Sequence, residues 1–71
     1  MKLDLKKLRE AAGLSQSELA NRVGVTQGYI SHIEKNLRAP ALKILDALAR
    51  ELNVHPTELI VKETSNRAVG E

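Results

Sequence analysis

Residues 14–35 read LSQSELANRVGVTQGYISHIEK and contain the strongest local folding signals of the sequence. Ser15 and Glu18 have the spacing of a capping box, in which both side chains satisfy free N–H groups at the start of a helix. A second helix start, at Thr26, comes two residues after Gly24, a residue that readily takes the positive φ of a tight turn. The stretch therefore predicts two short helices joined by a tight turn. These helices span residues 16–23 and about 26–35.

The second of these helices has one apolar and one polar face. Ile30 and Ile33 lie three residues apart and are expected to face inward. The opposite face carries Gln27, Gly28, Ser31 and His32. A helix that is anchored on one face and shows hydrogen-bonding side chains on the other is suited to the major groove of DNA.

Three further helices are predicted around this pair. The first runs from Leu5 to about Ala12, with Asp4 as an N-cap whose carboxylate is expected to accept from the first turn. The fourth follows Pro40, and the fifth starts at Pro56, a favoured first-turn residue. The apolar stripe of the fourth helix is Leu42, Leu45, Leu48, Ala49 and Leu52. The sequence thus predicts an all-α fold of five short helices.

The organisation of the chain is simple. We expect one domain over residues 1–61, followed by a polar, flexible tail over residues 62–71, where the apolar periodicity is lost. No apolar run approaches the roughly 18 residues of a membrane span, so no membrane partner is expected. The absence of cysteine excludes disulfides and thiolate metal sites and suits a reducing cytoplasm.

Composition argues against catalysis without requiring any one partner. The formal charge of +2 permits a nucleic-acid partner but does not demand one. The sequence has neither a glycine loop that cradles phosphate nor a Ser-His-Asp arrangement. Its two histidines, His32 and His55, are far apart and lack cysteine or carboxylate companions. We expect no enzyme activity, cofactor, metal or small-molecule ligand.

Three runs of sequence resemble a known family: LSQSELA at 14–20, VGVTQ at 23–27 and YISHIEK at 29–35. Together they resemble the Cro/phage-repressor-like helix-turn-helix family, also called the xenobiotic-response-element (XRE) family, over about residues 5–61. The resemblance implies a compact five-helix, lambda-repressor-like DNA-binding domain with helices 2 and 3 as the helix-turn-helix. It also implies a cytoplasmic, nucleoid-associated transcriptional regulator, expected to be a repressor, that binds a near-palindromic double-stranded operator as a homodimer.

The resemblance further implies roles for individual positions. Gln16 would contact phosphate and brace the recognition helix, and Gln27 occupies the principal base-reading position. Lys35, Asn36 and Arg38 lie in a loop that usually follows phosphates. The full set of expected DNA-contacting residues is Gln16, Thr26, Gln27, Gly28, Tyr29, Ser31, His32, Lys35, Asn36 and Arg38.

Some of these positions have a second interpretation. Gly28 has no side chain, so either close approach of the backbone to DNA or lax selection explains it. Tyr29 fits half-buried packing as well as a hydrogen bond to phosphate. His32 fits an ordinary surface histidine as well as a groove contact.

Two structural expectations complete the prediction. Arg9 and Glu34 match a family pair that forms a salt bridge between helices 1 and 3, although Arg9 could instead contact phosphate, or do both. An apolar excess near the end of the helical region predicts a homodimer interface. The residues expected to form it are Leu52, Leu59, Ile60 and Val61.

The alternative function is an antitoxin or adaptor that uses the same fold to bind a protein partner. The sequence leaves open the operator, the regulated genes and the choice between repression and activation. It also leaves open whether the protein is a phage repressor, a restriction–modification controller or a stand-alone regulator, and whether the chain is part of a longer one.

Overall fold

The computed structural model describes residues 3–60 and contains five α-helices in that range. They are α1 (Leu5–Ala11), α2 (Gln16–Val23), α3 (Gln27–Glu34), α4 (Leu42–Leu52) and α5 (Pro56–Leu59). The predicted all-α fold is confirmed, and α1 ends one residue earlier than expected, with Ala12 as its C-cap. The predicted tail at 62–71 lies outside the described residues.

The turn between α2 and α3 is built from the capping residues that the sequence indicated. At the start of α2, the Ser15 hydroxyl accepts from the Glu18 amide at 3.0 Å, and the Glu18 carboxylate accepts from the Ser15 amide at 2.8 Å. Gly24 ends α2 with a φ of +86°. The Thr26 hydroxyl then accepts from the Tyr29 amide at 3.1 Å and starts α3. These contacts fix the angle at which α3 leaves the turn.

The start of α1 differs from the prediction. Asp4 occupies the N-cap position, but its side chain accepts no capping hydrogen bond. Its backbone (φ −106°, ψ 42°) is outside the extended region in which a cap side chain reaches the free N–H groups of the first turn. The Asp4 amide instead donates to the carbonyl of Leu59 at 2.8 Å. Asp4 therefore ties α1 to the end of α5 through its backbone.

The core is aliphatic and draws on all five helices. Its fully buried large side chains are Leu5, Leu19, Ile30, Ile33, Leu48 and Leu59. Since α2 and α3 each bury residues in this one cluster, the core holds the helix pair in a fixed relative orientation.

Burial corrects two predictions about apolar residues. Leu42, expected in the buried stripe of α4, is 80% exposed at the first position of that helix, and the stripe begins at Leu45. Leu52 and Leu59 are buried within the single chain, which contradicts their predicted place in a dimer interface. The helix α5 is a single turn, and its last residue, Leu59, packs into the core of the same chain. Ile60 is half-buried, and Val61 lies outside the described residues.

The two ends of the described chain meet. Leu3 forms an isolated antiparallel bridge with Ile60. The Leu3 amide also donates to Oδ1 of Asn36 at 2.9 Å, in the loop that follows α3. The first residues thus hold both the end of α5 and the loop beside α3.

Candidate nucleic-acid interface

The outward face of α3 is polar and open to solvent. Gln27, Gly28 and His32 are exposed, and Ser31 is half-buried. The opposite face is anchored by Ile30 and Ile33, neither of which has any exposed surface. The structure therefore separates a buried face from an exposed hydrogen-bonding face, as the apolar spacing predicted.

Gln27 is held by two side chains of α2. Its Nε2 donates to Oε1 of Gln16 at 3.3 Å, and its Oε1 accepts from the Ser17 hydroxyl at 3.4 Å. An amide has two N–H groups and two oxygen lone pairs, so each end of Gln27 keeps one free hydrogen-bonding position. Gln27 can accordingly offer a donor and an acceptor side by side while its orientation is fixed.

Arg9 and Glu34 form a buried, two-pronged ion pair between α1 and α3. Arg9 Nε lies 2.5 Å from Glu34 Oε2, and Arg9 Nη2 lies 3.2 Å from Glu34 Oε1. The two side chains are 10% and 4% exposed, and Arg9 Nη1 also donates to the carbonyl of Leu14 at 2.8 Å. The hydrogen bond to Glu34 and the charge of that carboxylate raise the pKa of Arg9, while burial opposes the shift. These internal partners favour the structural role of Arg9 over contact with phosphate.

The Arg9–Glu34 pair is connected to Gln16 by a hydrogen bond, and through Gln16 to Gln27. Glu34 Oε1 also accepts from Gln16 Nε2 at 2.9 Å. Because Glu34 is the single carboxylate within α3 and is neutralised by Arg9, the helix brings no free negative charge to its exposed face. This arrangement lowers the electrostatic cost of approaching a polyanion.

The loop after α3 carries exposed cations. Lys35 and Arg38 are both exposed, and the guanidinium of Arg38 lies near the half-buried Tyr29. Asn36 has a φ of +58°, and its side-chain oxygen is taken by the Leu3 amide. Asn36 therefore shapes this loop, and its side-chain carbonyl is already partnered.

The structure brings several predicted residues together and adds others. Gln16, Gln27 and the Arg9–Glu34 pair form one connected group. Sequence reasoning missed Ser17 and the contact between Glu34 and Gln16, since neither follows from helical spacing. A signal for Ser17 was present, because it adjoins Gln16 in the first turn of α2, the turn that faces the start of α3.

Within residues 3–60, no three His, Cys, Asp or Glu side chains are grouped so that they could hold a metal ion. None of the five helices described is long and apolar enough to cross a membrane.

Comparison with known proteins identifies the family. A helix-turn-helix family profile matches residues 5–59, most of the chain. The chain belongs to the Cro/C1-type (XRE) helix-turn-helix family. An uncharacterized HTH-type transcriptional regulator of Mycobacterium tuberculosis is 39% identical over 54 residues, which cover 76% of this chain and 39% of that protein. The chain therefore matches about two fifths of that relative's length.

Solved structures of XRE-type regulators have the same fold. The restriction–modification controller protein C.AhdI from Aeromonas hydrophila has a TM-score of 0.75 and 38% identity, over 79% of this chain and 85% of that one. SinR, the master regulator for biofilm formation, crystallised in complex with DNA, has a TM-score of 0.70 and 37% identity, over 75% of this chain and 86% of that one. These relatives are named as regulators or controller proteins, not as enzymes.

Proposed function

We propose that this protein is a sequence-specific, double-stranded DNA-binding transcriptional regulator that inserts α3 into the major groove. The observation that carries the proposal is the exposed face of α3, on which Gln27 is held in one orientation by Gln16 and Ser17. A major groove admits an α-helix and displays hydrogen-bonding base edges to it. The complex of SinR with DNA, seen for a related domain, supports this use of the fold.

Gln27 is proposed as the principal base reader. Adenine presents an acceptor, N7, beside a donor, N6, and this pair matches the free donor and acceptor of a glutamine amide. We therefore expect an A·T pair at the position that Gln27 faces. His32 and Ser31 lie further along α3 and would contact neighbouring positions or the groove edge.

Lys35 and Arg38 are proposed as phosphate contacts. Both are exposed in the loop after α3. Contacts to phosphate fix the register and orientation of a protein on DNA, but they carry no direct sequence information. Gln16 would join them, since its Nε2 has a second N–H beyond the one given to Glu34.

We propose repression as the mode of action, because a domain that fills the groove of a promoter excludes other proteins from it.

The proposed assembly is a homodimer on a near-palindromic operator, which would place two recognition helices about 34 Å apart. Since Leu52 and Leu59 serve the core, we place the interface on a shallow apolar surface at the start of α4 and α5. Its residues are Leu42, Lys43, Leu45, Asp46 and Pro56. Lys43 and Asp46 make this surface self-complementary. A two-fold axis can place Lys43 of each copy beside Asp46 of the other copy.

Sedimentation without DNA tests this interface. Leu42→Glu should convert dimer to monomer at tens of micromolar protein, because it introduces a charge into the apolar contact. Leu37→Glu is the matched control, since Leu37 is 71% exposed and does not line this surface. Equal sedimentation of the wild type and both variants would contradict the placement.

Selection of bound DNA from a random pool, followed by titration of variants, tests the function. Gln27→Ala should weaken binding to the selected site by about 1–3 kcal/mol and relax preference at one base pair per half-site. Arg38→Ala should weaken binding to selected and scrambled DNA alike and reduce the salt slope by about one unit. Equal loss by Gln27→Ala on both DNAs would show that it is not a base reader. Failure to enrich any sequence would favour the protein-binding alternative.

A further inference from the structure

The buried ion pair and the proposed base reader belong to one continuous set of hydrogen bonds. Glu34 Oε1 accepts from Arg9 Nη2 at 3.2 Å and from Gln16 Nε2 at 2.9 Å. Gln16 Oε1 in turn accepts from Gln27 Nε2 at 3.3 Å. The set runs from a side chain that is 4% exposed to one that is exposed on the outward face of α3.

The chemistry of these groups gives the set a direction. An ionised carboxylate only accepts hydrogen bonds, so Gln16 must turn its NH₂ group toward Glu34. The side-chain oxygen of Gln16 then faces Gln27, so Gln27 must donate to it from its own NH₂ group. The oxygen of Gln27 is left beside Ser17, whose hydroxyl donates to it at 3.4 Å. Each amide thus has one orientation in which all the contacts are satisfied.

We propose that Glu34, held in place by Arg9, is a positioning residue for base recognition that sets the orientation of the Gln27 amide through Gln16, with Ser17 securing its oxygen. The inference rests on the proposed function, in which Gln27 reads a base. It assigns Glu34 a role beyond joining α1 to α3.

A fixed amide distinguishes adenine from guanine. Both purines present N7 as an acceptor, but the neighbouring group is the N6 donor in adenine and the O6 acceptor in guanine. An amide whose oxygen cannot rotate away meets a matching donor in adenine and a second acceptor in guanine. An amide free to rotate can turn its NH₂ group toward O6 and accept either purine. Loss of the constraint should therefore reduce discrimination more than affinity.

The experiment measures the ratio of affinities for the selected operator and for the same operator with one Gln27-facing A·T pair replaced by G·C. In the wild type we expect a ratio of about 5 to 150, the range for a bidentate base contact. Glu34→Gln and Ser17→Ala should each lower this ratio at least threefold. Glu51→Gln is the control, because it removes the same charge from a solvent-accessible pair with Arg22 and leaves the glutamines untouched.

A second variant separates positioning from stability. Arg9→Met/Glu34→Leu removes both charges, so no unpaired charge is left in the interior, and it too should lower the ratio. Circular dichroism establishes that each variant is folded at the assay temperature. The side-chain amide resonances of Gln27 in the free protein should shift in Glu34→Gln but not in Glu51→Gln.

Gln27→Ala distinguishes the two levels of the proposal. If this variant abolishes the A·T preference while folded Glu34→Gln and the double variant keep the wild-type ratio, the positioning role is wrong and the proposed readout stands. If Gln27→Ala leaves the ratio unchanged, the proposed readout itself is wrong.

Discussion

The guanidinium of Arg38 lies over the ring of Tyr29, with 5.1 Å between Cζ and the ring centroid. A cation in this position is attracted by the negative face of the ring, and an exposed pair of this kind contributes about 0.5–1 kcal/mol. The contact joins the half-buried side chain of α3 to the loop that we propose follows phosphate. Tyr29 therefore restricts where the charge of Arg38 can be.

We expect Tyr29→Ala to weaken binding to scrambled DNA, whereas Tyr29→Phe should keep wild-type affinity because it keeps the ring. In a double-mutant cycle with Arg38→Ala, the losses of DNA-binding free energy should be non-additive by at least about 0.5 kcal/mol, measured by fluorescence anisotropy at fixed salt. Strict additivity would mean that the ring does not position Arg38. A loss in Tyr29→Phe equal to that in Tyr29→Ala would instead point to a phosphate contact by the hydroxyl.

The Arg9–Glu34 pair should contribute strongly to stability. Glu34→Ala leaves the Arg9 charge buried and unpaired, so we expect a loss of about 3–5 kcal/mol in the free energy of unfolding. Glu51→Ala, which breaks the solvent-accessible pair with Arg22 at 3.9 Å, should cost less than about 1 kcal/mol. Urea unfolding followed by circular dichroism measures both. A Glu34→Ala midpoint equal to that of Glu51→Ala would refute the structural role of the pair.

Two glycines should respond oppositely to alanine. Gly24→Ala puts a side chain at φ +86°, which should cost about 1–2 kcal/mol. Gly28→Ala adds a Cβ within α3 whose nearest neighbour beyond the adjacent residues and the helix backbone, Thr26 Oγ1, is 4.0 Å away. This substitution should stabilise the protein by up to about 1 kcal/mol. Thermal unfolding decides both signs, and a stabilised Gly24→Ala would contradict this view of the turn.

Operator affinity of the same Gly28→Ala variant settles why this position lacks a side chain. Weaker binding by a more stable protein would mean that the backbone of α3 approaches DNA closely there. Unchanged binding would mean that the glycine reflects lax selection.

The capping box should lose its effect in acid. Hydrogen bonds from the Ser15 amide and hydroxyl lower the pKa of Glu18 below its usual value. A lowered folded-state pKa adds stability above the unfolded-state value, about 4.3, and that stability is lost as the pH falls through the folded-state value. Wild type should therefore exceed Glu18→Gln in Tm near neutral pH, with the gap closing below about pH 4. A gap that does not change with pH would show that the carboxylate charge is irrelevant to the cap.

Local signals predicted the helices well because each end is decided by a few adjacent residues. Ser15, Glu18, Gly24 and Thr26 act where the sequence places them, and the structure confirms all four. Asp4 failed as a cap because a contact to Leu59, 55 residues away, sets its backbone. Packing across the chain, which no local pattern carries, overrode the local preference.

The same distinction applies to the site and to the assembly. The spacing of Ile30 and Ile33 predicted which face of α3 is exposed. The contact of Glu34 with Gln16 depends instead on how α2 and α3 cross. The apolar excess near the end of the helical region predicts an interface that includes Leu59, but the structure buries Leu59 completely in the core. No local pattern shows this, because the burial of Leu59 depends on packing against residues distant in the sequence. Within residues 3–60, the exposed large apolar side chains are Leu37 and Leu42.

The bridge between Leu3 and Ile60 places the two ends of the described chain side by side. A short peptide linking the chain before Leu3 to the chain after Ile60 would close the backbone into a ring without moving any helix. Such a ring would leave the folded state unchanged and reduce the number of conformations open to the unfolded chain, so its entire gain in stability would be entropic. The ring could then be opened in an exposed loop to create a circular permutant whose new ends lie away from α3.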